Sequence, residues 1–148
     1  MTNEATASET IHASCVAIAG RAVLIEGRSG SGKSDLALRL IDRGAALVSD
    51  DYTLVRNVDG RLIASAPATI TGMMEVRGIG LVDMPALAEA SVGLLVSLNL
   101  PVARLPEDEP ATRTIAGGAV PVVPLAAFEA SAPIKAELAL RQFGLPER

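Results

Sequence analysis

Residues 22–49 read AVLIEGRSGSGKSDLALRLIDRGAALVS, and the fold is decided in this stretch. Ala22 to Glu26 is a short apolar run closed by a charge, which predicts a buried strand. Leu36, Ala37, Leu38, Leu40 and Ile41 predict a helix, and Gly44 suits the left-handed cap that ends one. Ala45 to Ser49 predicts a second short buried strand. Between the first strand and the helix lies Gly27-Arg28-Ser29-Gly30-Ser31-Gly32-Lys33-Ser34, which satisfies G-x-x-x-x-G-K-[ST] in the strand-loop-helix setting the pattern needs. Its glycines let successive backbone N–H groups turn inward around a phosphate, and the helix N-terminus adds about half a positive charge. In that reading Lys33 reaches the β- and γ-phosphates and the Ser34 hydroxyl ligates Mg²⁺. A glycine turn that only connected two elements would need neither the lysine nor the serine.

Strand, loop, helix, strand is the beginning of an α/β unit. Upstream, Ser14 to Ile18 predicts a strand joined to the next through Gly20-Arg21, and Met1 to about residue 10 reads as a small, polar, disordered tail. Downstream, Tyr52 to Arg56 and Arg61 to Ser65 flank Asn57-Val58-Asp59-Gly60, a hairpin signal that brings in antiparallel pairing. Leu94 to Leu100 predicts a buried strand stopped by Pro101, Arg104 to Gly118 an exposed acidic loop, and Ala132 to Arg141 a last helix. The expected architecture is α/β, a phosphate-loop kinase-like core with a mixed sheet, in one domain over residues 11–148.

Composition narrows the function. Tyr52, Phe128 and Phe143 are the only aromatic residues, too few for the stacking platforms of single-stranded nucleic-acid binders, and a net charge of -4 leaves no basic footprint for a duplex or an anionic membrane. No nucleic-acid or membrane partner is expected. Cys15 is the sole cysteine, so no intrachain disulfide or cysteine-based zinc site can form, and a reducing cytoplasm is the expected compartment. Of thirteen basic residues only Lys33 and Lys135 are lysines, and one of the two falls in the loop.

Neither N-K-x-D nor D-x-x-G occurs, which argues against a guanine-nucleotide switch, and the hairpin fits poorly with the larger parallel sheets of motor and helicase ATPases. A small kinase remains. Asp50-Asp51 stands at the C-terminal end of the strand after the loop's helix, where ligands of α/β sheets bind. One carboxylate can hold Mg²⁺ or its water shell while the other takes a proton from an attacking hydroxyl, although an aspartate pair after a strand is also an ordinary exposed turn.

Taken in order, His12, GRSGSGKSDLAL, RGAALVSDD, MEVRGIG and Ala103-Arg104-Leu105 resemble HPr kinase/phosphorylase, the bacterial enzyme that phosphorylates a serine of the phosphocarrier HPr. The resemblance runs from about His12 to Leu140 and corresponds to that family's C-terminal catalytic domain alone. It implies an ATP- and Mg²⁺-dependent protein serine kinase, with HPr or an HPr-like phosphocarrier as partner and a homo-oligomer, a hexamer in the family, as the assembly to test for. Lys33 is then catalytic, Asp51 accepts the serine proton, Asp50 belongs to the metal shell, Glu75 matches a second magnesium position, and His12 and Arg104 match further catalytic residues. Plainer alternatives stand beside these: His12 as a solvated residue near a frayed end, Glu75 and Arg77 as an outward ion pair, Arg104 as a loop cation near Glu107 and Asp108. The chain departs from the family at VPVVPLAAFEASAPIK, residues 120–135, where a proline-glycine-arginine-asparagine stretch associated with dephosphorylation is missing, which counts against phosphorylase activity. The competing functions are a small-molecule kinase on a compact phosphate-loop fold and a nucleotide-sensing module without turnover.

Overall fold

The computed structural model describes residues 7–67 and 72–146. In chain order the elements are β1 (Ser8–Ile11), β2 (Ala13–Ile18), β3 (Arg21–Glu26), α1 (Lys33–Asp42), β4 (Ala46–Ser49), β5 (Thr53–Val58), β6 (Arg61–Ser65), β7 (Met73–Val76), β8 (Gly80–Asp83), β9 (Glu89–Ser97), β10 (Ala111–Ile115), β11 (Gly118–Pro124) and α2 (Ala132–Phe143). The strand, loop, helix and strand expected from residues 22–49 form as read. At the end of α1, Gly44 takes φ +111 while its N–H donates to Ile41 O and that of Ala45 to Leu40 O, both at 3.0 Å, a Schellman stop.

Main-chain pairing runs β1-β5-β6-β9-β3-β2-β4, with β11 on β9 and β10 on β11, and β7 and β8 make a separate two-stranded sheet. The large sheet is mixed, as expected. β9 pairs parallel with β3 along one edge, while its other edge is divided: Ser91 faces Ile63 of β6 antiparallel, and Leu95 to Ser97 face Val122 to Pro124 of β11 parallel. Three parallel strands therefore end in one row, Glu26 beside Ser97 beside Pro124.

Strand alternation feeds two cores, one on each side of β3. Val23 and Ile25 face a layer with Leu36, Leu40, Ala136 and Leu140 of the two helices. Ala22 and Leu24 face Val55, Leu62, Ile115, Val120 and Val122, a core made by the strands curling over themselves. Cys15 is buried in this second core, and burial pushes its thiol well above the usual range. Such a thiol is an inert core residue.

Three expectations are corrected. Ser8 to Thr10 are not tail but part of β1, paired antiparallel with β5 from Ser8 opposite Arg56 to Ile11 opposite Thr53, because the open edge of β5 supplies hydrogen bonds that need no apolar side chains; residues 1–6 lie outside the described residues. The acidic loop ends at Pro110, since Ala111–Ile115 pair with β11 around Ala116 and Gly117, both at positive φ in the manner of a tight hairpin turn. β9 is longer at its start and ends at Ser97, ahead of the stop expected at Pro101. Among the described residues no helix is long and apolar enough to cross a membrane.

Leu140 is 2% exposed and approaches Gly93 so closely that a Cβ there would meet its Cδ1 at 2.8 Å. Leu140→Ala should lower stability by about 2–5 kcal/mol in urea titration, because the packed β9–α2 contact leaves little room to collapse. The Arg113 guanidinium of β10 grips both oxygens of Glu26 at 2.7 and 2.9 Å, and this holds the Glu26 carboxyl below the usual carboxylate range. A depressed folded-state pKa contributes stability above the ordinary carboxylate range and loses it as pH falls through the lower folded value. Arg113→Gln should therefore narrow the gap between denaturation midpoints measured at neutral and acid pH.

Candidate active site

The loop of residues 27–34 leaves β3 at the row of strand ends and closes into the N-terminus of α1. Gly30 and Gly32 take φ +81 and +100, left-handed values that a side chain would strain. Gly27 has a separate reason to be glycine, since a Cβ there would run into the Ser31 hydroxyl. Ser31 Oγ is itself buried with no hydrogen-bond partner among the described residues. Gly32 caps the helix without a side-chain hydrogen bond, leaving the first-turn N–H groups without a side-chain cap. Lys33 is 7% exposed, and its Nζ donates to Gly27 O at 2.8 Å and Arg28 O at 3.4 Å. The loop's outer flank is pinned from the segment after β9, where the Arg28 N–H donates to Asn99 Oδ1 at 3.0 Å.

Asp50 and Asp51 stand just past β4, so they escape strand alternation and take separate partners. One oxygen of Asp50 accepts from Ser34 Oγ at 2.8 Å and from Ser14 Oγ at 3.0 Å. This is the contact that connects the loop to the aspartate pair. Asp51 has φ +72, and the Tyr52 N–H donates to Asp50 O across it at 2.9 Å, which places Asp51 at the apex of a three-residue turn. Its N–H donates to Ser14 Oγ at 3.2 Å, and Tyr52 O accepts from Ser49 Oγ. Strained backbone of this kind persists where neighbouring bonds hold it, and here they are side-chain hydroxyls from β2 and β4.

His12 lies between β1 and β2, fixed and half-exposed. Its Nε2 is 2.9 Å from Asp51 Oδ1, and its ring stacks on Tyr52 with centroids 4.9 Å apart and planes 23° from parallel. A carboxylate only accepts, so Nε2 carries the hydrogen of that bond. The structure thus brings His12, Asp51, Asp50 and Ser34 into one hydrogen-bonded network, with Ser14 as the link between the two aspartates and the loop beside it. Glu75 sits exposed on β7, opposite Leu81 of β8, and Arg104 lies in the exposed segment after β9; neither side chain makes a hydrogen bond or ion pair among the described residues. The ion-pair partners that the sequence offers them, Arg77 for Glu75 and Glu107 or Asp108 for Arg104, are therefore not engaged. Ser14 gives no sign of itself in the sequence, since a serine in an apolar strand carries no signal until its 0% exposure and two polar partners are seen.

Comparison with known proteins adds a family to this geometry. A profile of the HPr Serine kinase C-terminal domain matches residues 3–99. HPr kinase/phosphorylase of Clostridium tetani is 46% identical over 86 residues, covering 57% of this chain and 28% of the relative. That of Clostridium acetobutylicum is 41% identical over 96 residues, covering 60% of this chain and 32% of the relative, so the chain spans about a third or less of these curated relatives. Among solved structures, the Hpr(Ser) kinase/phosphatase from Coxiella burnetii superposes with a TM-score of 0.78 at 30% identity, covering 90% of this chain and 88% of that one. The phosphate-loop kinase fold and the match over most of the sequence agree, and the chain belongs to the HPr serine kinase C-terminal domain family.

Proposed function

We propose that this chain is a catalytic domain that transfers the γ-phosphoryl group of ATP, with Mg²⁺, to a serine of HPr or an HPr-like phosphocarrier. The observation that carries the reading is the hydrogen-bonded path from His12 through Asp51, Ser14 and Asp50 to Ser34, which sets an exposed carboxylate one residue from the carboxylate bonded to the phosphate loop. The residues fit the ligands. The left-handed glycines Gly30 and Gly32, the helix start without a side-chain cap, the buried Lys33 ammonium and the orphaned Ser31 hydroxyl suit phosphate oxygens, and the Ser34 hydroxyl with Asp50 is the oxygen pair a magnesium ion takes beside a nucleotide. Bound there, Mg²⁺ would neutralise charge on the phosphates.

The chain's own groups divide the work. Lys33 and the loop N–H groups hold the phosphates and stabilise charge as it spreads over the transferring group. Asp51 accepts the proton of the incoming serine hydroxyl as its oxygen bonds to the γ-phosphorus, the bond to the bridging oxygen breaks and ADP leaves. His12 donates to Asp51 Oδ1, which orients that carboxylate and leaves its other oxygen to meet the substrate. Ser14 keeps Asp50 and the Asp51 turn in register. Arg104 and Glu75 lie on segments at the surface, and their roles in the family reading, charge neutralisation and a second magnesium contact, remain part of this proposal. A single buried cysteine fits the reducing cytoplasm in which such a reaction would run.

Incubation with γ-labelled ATP and purified HPr tests the reading: label should move to HPr and to nothing when HPr is omitted. Label on a small metabolite, or none transferred while ATP binds, would replace it with a small-molecule kinase or a nucleotide sensor. Because residues 120–135 lack the stretch associated with dephosphorylation, inorganic phosphate added to phosphorylated HPr should release little. Asp51→Asn removes the base while keeping its shape, and the rate should fall about 10²- to 10⁴-fold with ATP affinity measured by calorimetry nearly unchanged. Transfer at the wild-type rate would remove Asp51 from the mechanism.

A further inference from the structure

Phe128 is 73% exposed in a chain that has only two phenylalanines, one tyrosine and no tryptophan. The other two rings have packing partners: Phe143 lies against the helical core and Tyr52 on His12. An exposed ring alone means little, but this one is neither on a loose segment nor far from the site. Arg39 of α1 donates to the carbonyls on both sides of it, Ala127 O and, at 3.1 Å, Glu129 O. Glu129 is held further by Lys135 at 2.8 Å, and the Ala132 N–H donates to Glu129 O at 3.0 Å. The backbone that presents the ring is clamped, while the ring itself is left open.

The ring lies against the phosphate loop. A Cβ on Gly32 would meet the Phe128 ring at 3.1 and 3.2 Å and the Ala127 methyl at 3.0 Å. Topology explains the approach: β3 and β11 end in one row across β9, so the loop that starts at Gly27 and the turn that starts at Leu125 leave the same edge. The loop also borders a cavity of about 390 Å³ lined by Arg28, Ser29, Gly30, Ser31, Leu98 and Asn99, which is mostly polar and has no ring. A nucleotide with its phosphates in the loop has one aromatic face within the loop's own contacts on which to lay its base.

We propose that Phe128 is the stacking platform for the base of the nucleotide donor, a subsite that favours a nucleoside triphosphate over a bare polyphosphate. The proposal rests on reading residues 27–34 as the nucleotide loop. Base stacking on an aromatic ring tolerates any base but favours the larger purine face, and its loss on alanine substitution corresponds to roughly five- to hundredfold in affinity.

Calorimetry on the whole chain with MgATP and with magnesium tripolyphosphate separates base from phosphate. Phe128→Ala should weaken ATP roughly five- to hundredfold while tripolyphosphate stays within about twofold, and Phe128→Leu should fall between. Lys33→Ala should weaken both ligands. Unchanged ATP affinity in Phe128→Ala, with Lys33→Ala still weakening ATP, overturns the stacking site and leaves the loop reading standing. Equal weakening of ATP and tripolyphosphate also overturns it, since the ring would then only support the loop. If Phe128→Ala raises the KM for the protein acceptor and leaves ATP untouched, the ring belongs to a protein-docking face instead. A wild-type chain that binds neither ligand overturns both readings together.

Discussion

One carboxylate oxygen organises this site. Asp50 Oδ1 accepts from the first turn of the phosphate-loop helix through Ser34 and from the neighbouring strand through Ser14, and the same Ser14 hydroxyl accepts the Asp51 N–H. Three pieces of chain far apart in sequence, residues 14, 34 and 50–51, are thereby held within single hydrogen bonds of one another. Phosphoryl transfer asks a protein mainly for placement, because little covalent chemistry falls to its side chains. The loop and the Asp50-Asp51 pair are fixed relative to each other, which is the placement the proposed transfer needs, and the turn at Asp51 is the part that departs from ordinary backbone to achieve it.

The sheet supplies the frame. β9 is the strand on which the rest is arranged, because it carries β3 on one edge and shares its other edge between β6 and β11. The antiparallel half of the sheet brings β5 round to receive β1, so that His12, immediately after β1, comes to lie over the Asp51 turn. The parallel half lines up the ends of β3, β9 and β11, where ligands of α/β proteins bind. The mixed character of the sheet is what lets a residue before the phosphate loop and a residue after it meet at one place.

Much of this is legible from residue type and spacing. The loop, its helix with the stop at Gly44, the hairpin at Asn57 to Gly60 and the pair Asp50-Asp51 each announce themselves through glycine, charge or apolar period. β1 does not, because Ser8, Glu9 and Thr10 are exposed on an edge and have no core face to give them alternation. β10 is hidden by the polar sequence ATRTI and by a turn built on Ala116, a residue that rarely takes positive φ. Ser14 and Phe128 cannot be found at all in one dimension. What marks them is what the fold puts next to them, a pair of aspartates in one case and Gly32 in the other.

The two carbonyl contacts of Lys33 bear on how the loop itself is held together. A buried ammonium without partners would be costly, and this one is solvated by the loop's own backbone, with Gly27 O and Arg28 O taking the place of water. The loop is thus folded around its own cation. The lysine that the motif places at the start of α1 is thus also a strut, tying the head of the helix back to the residues where β3 ends.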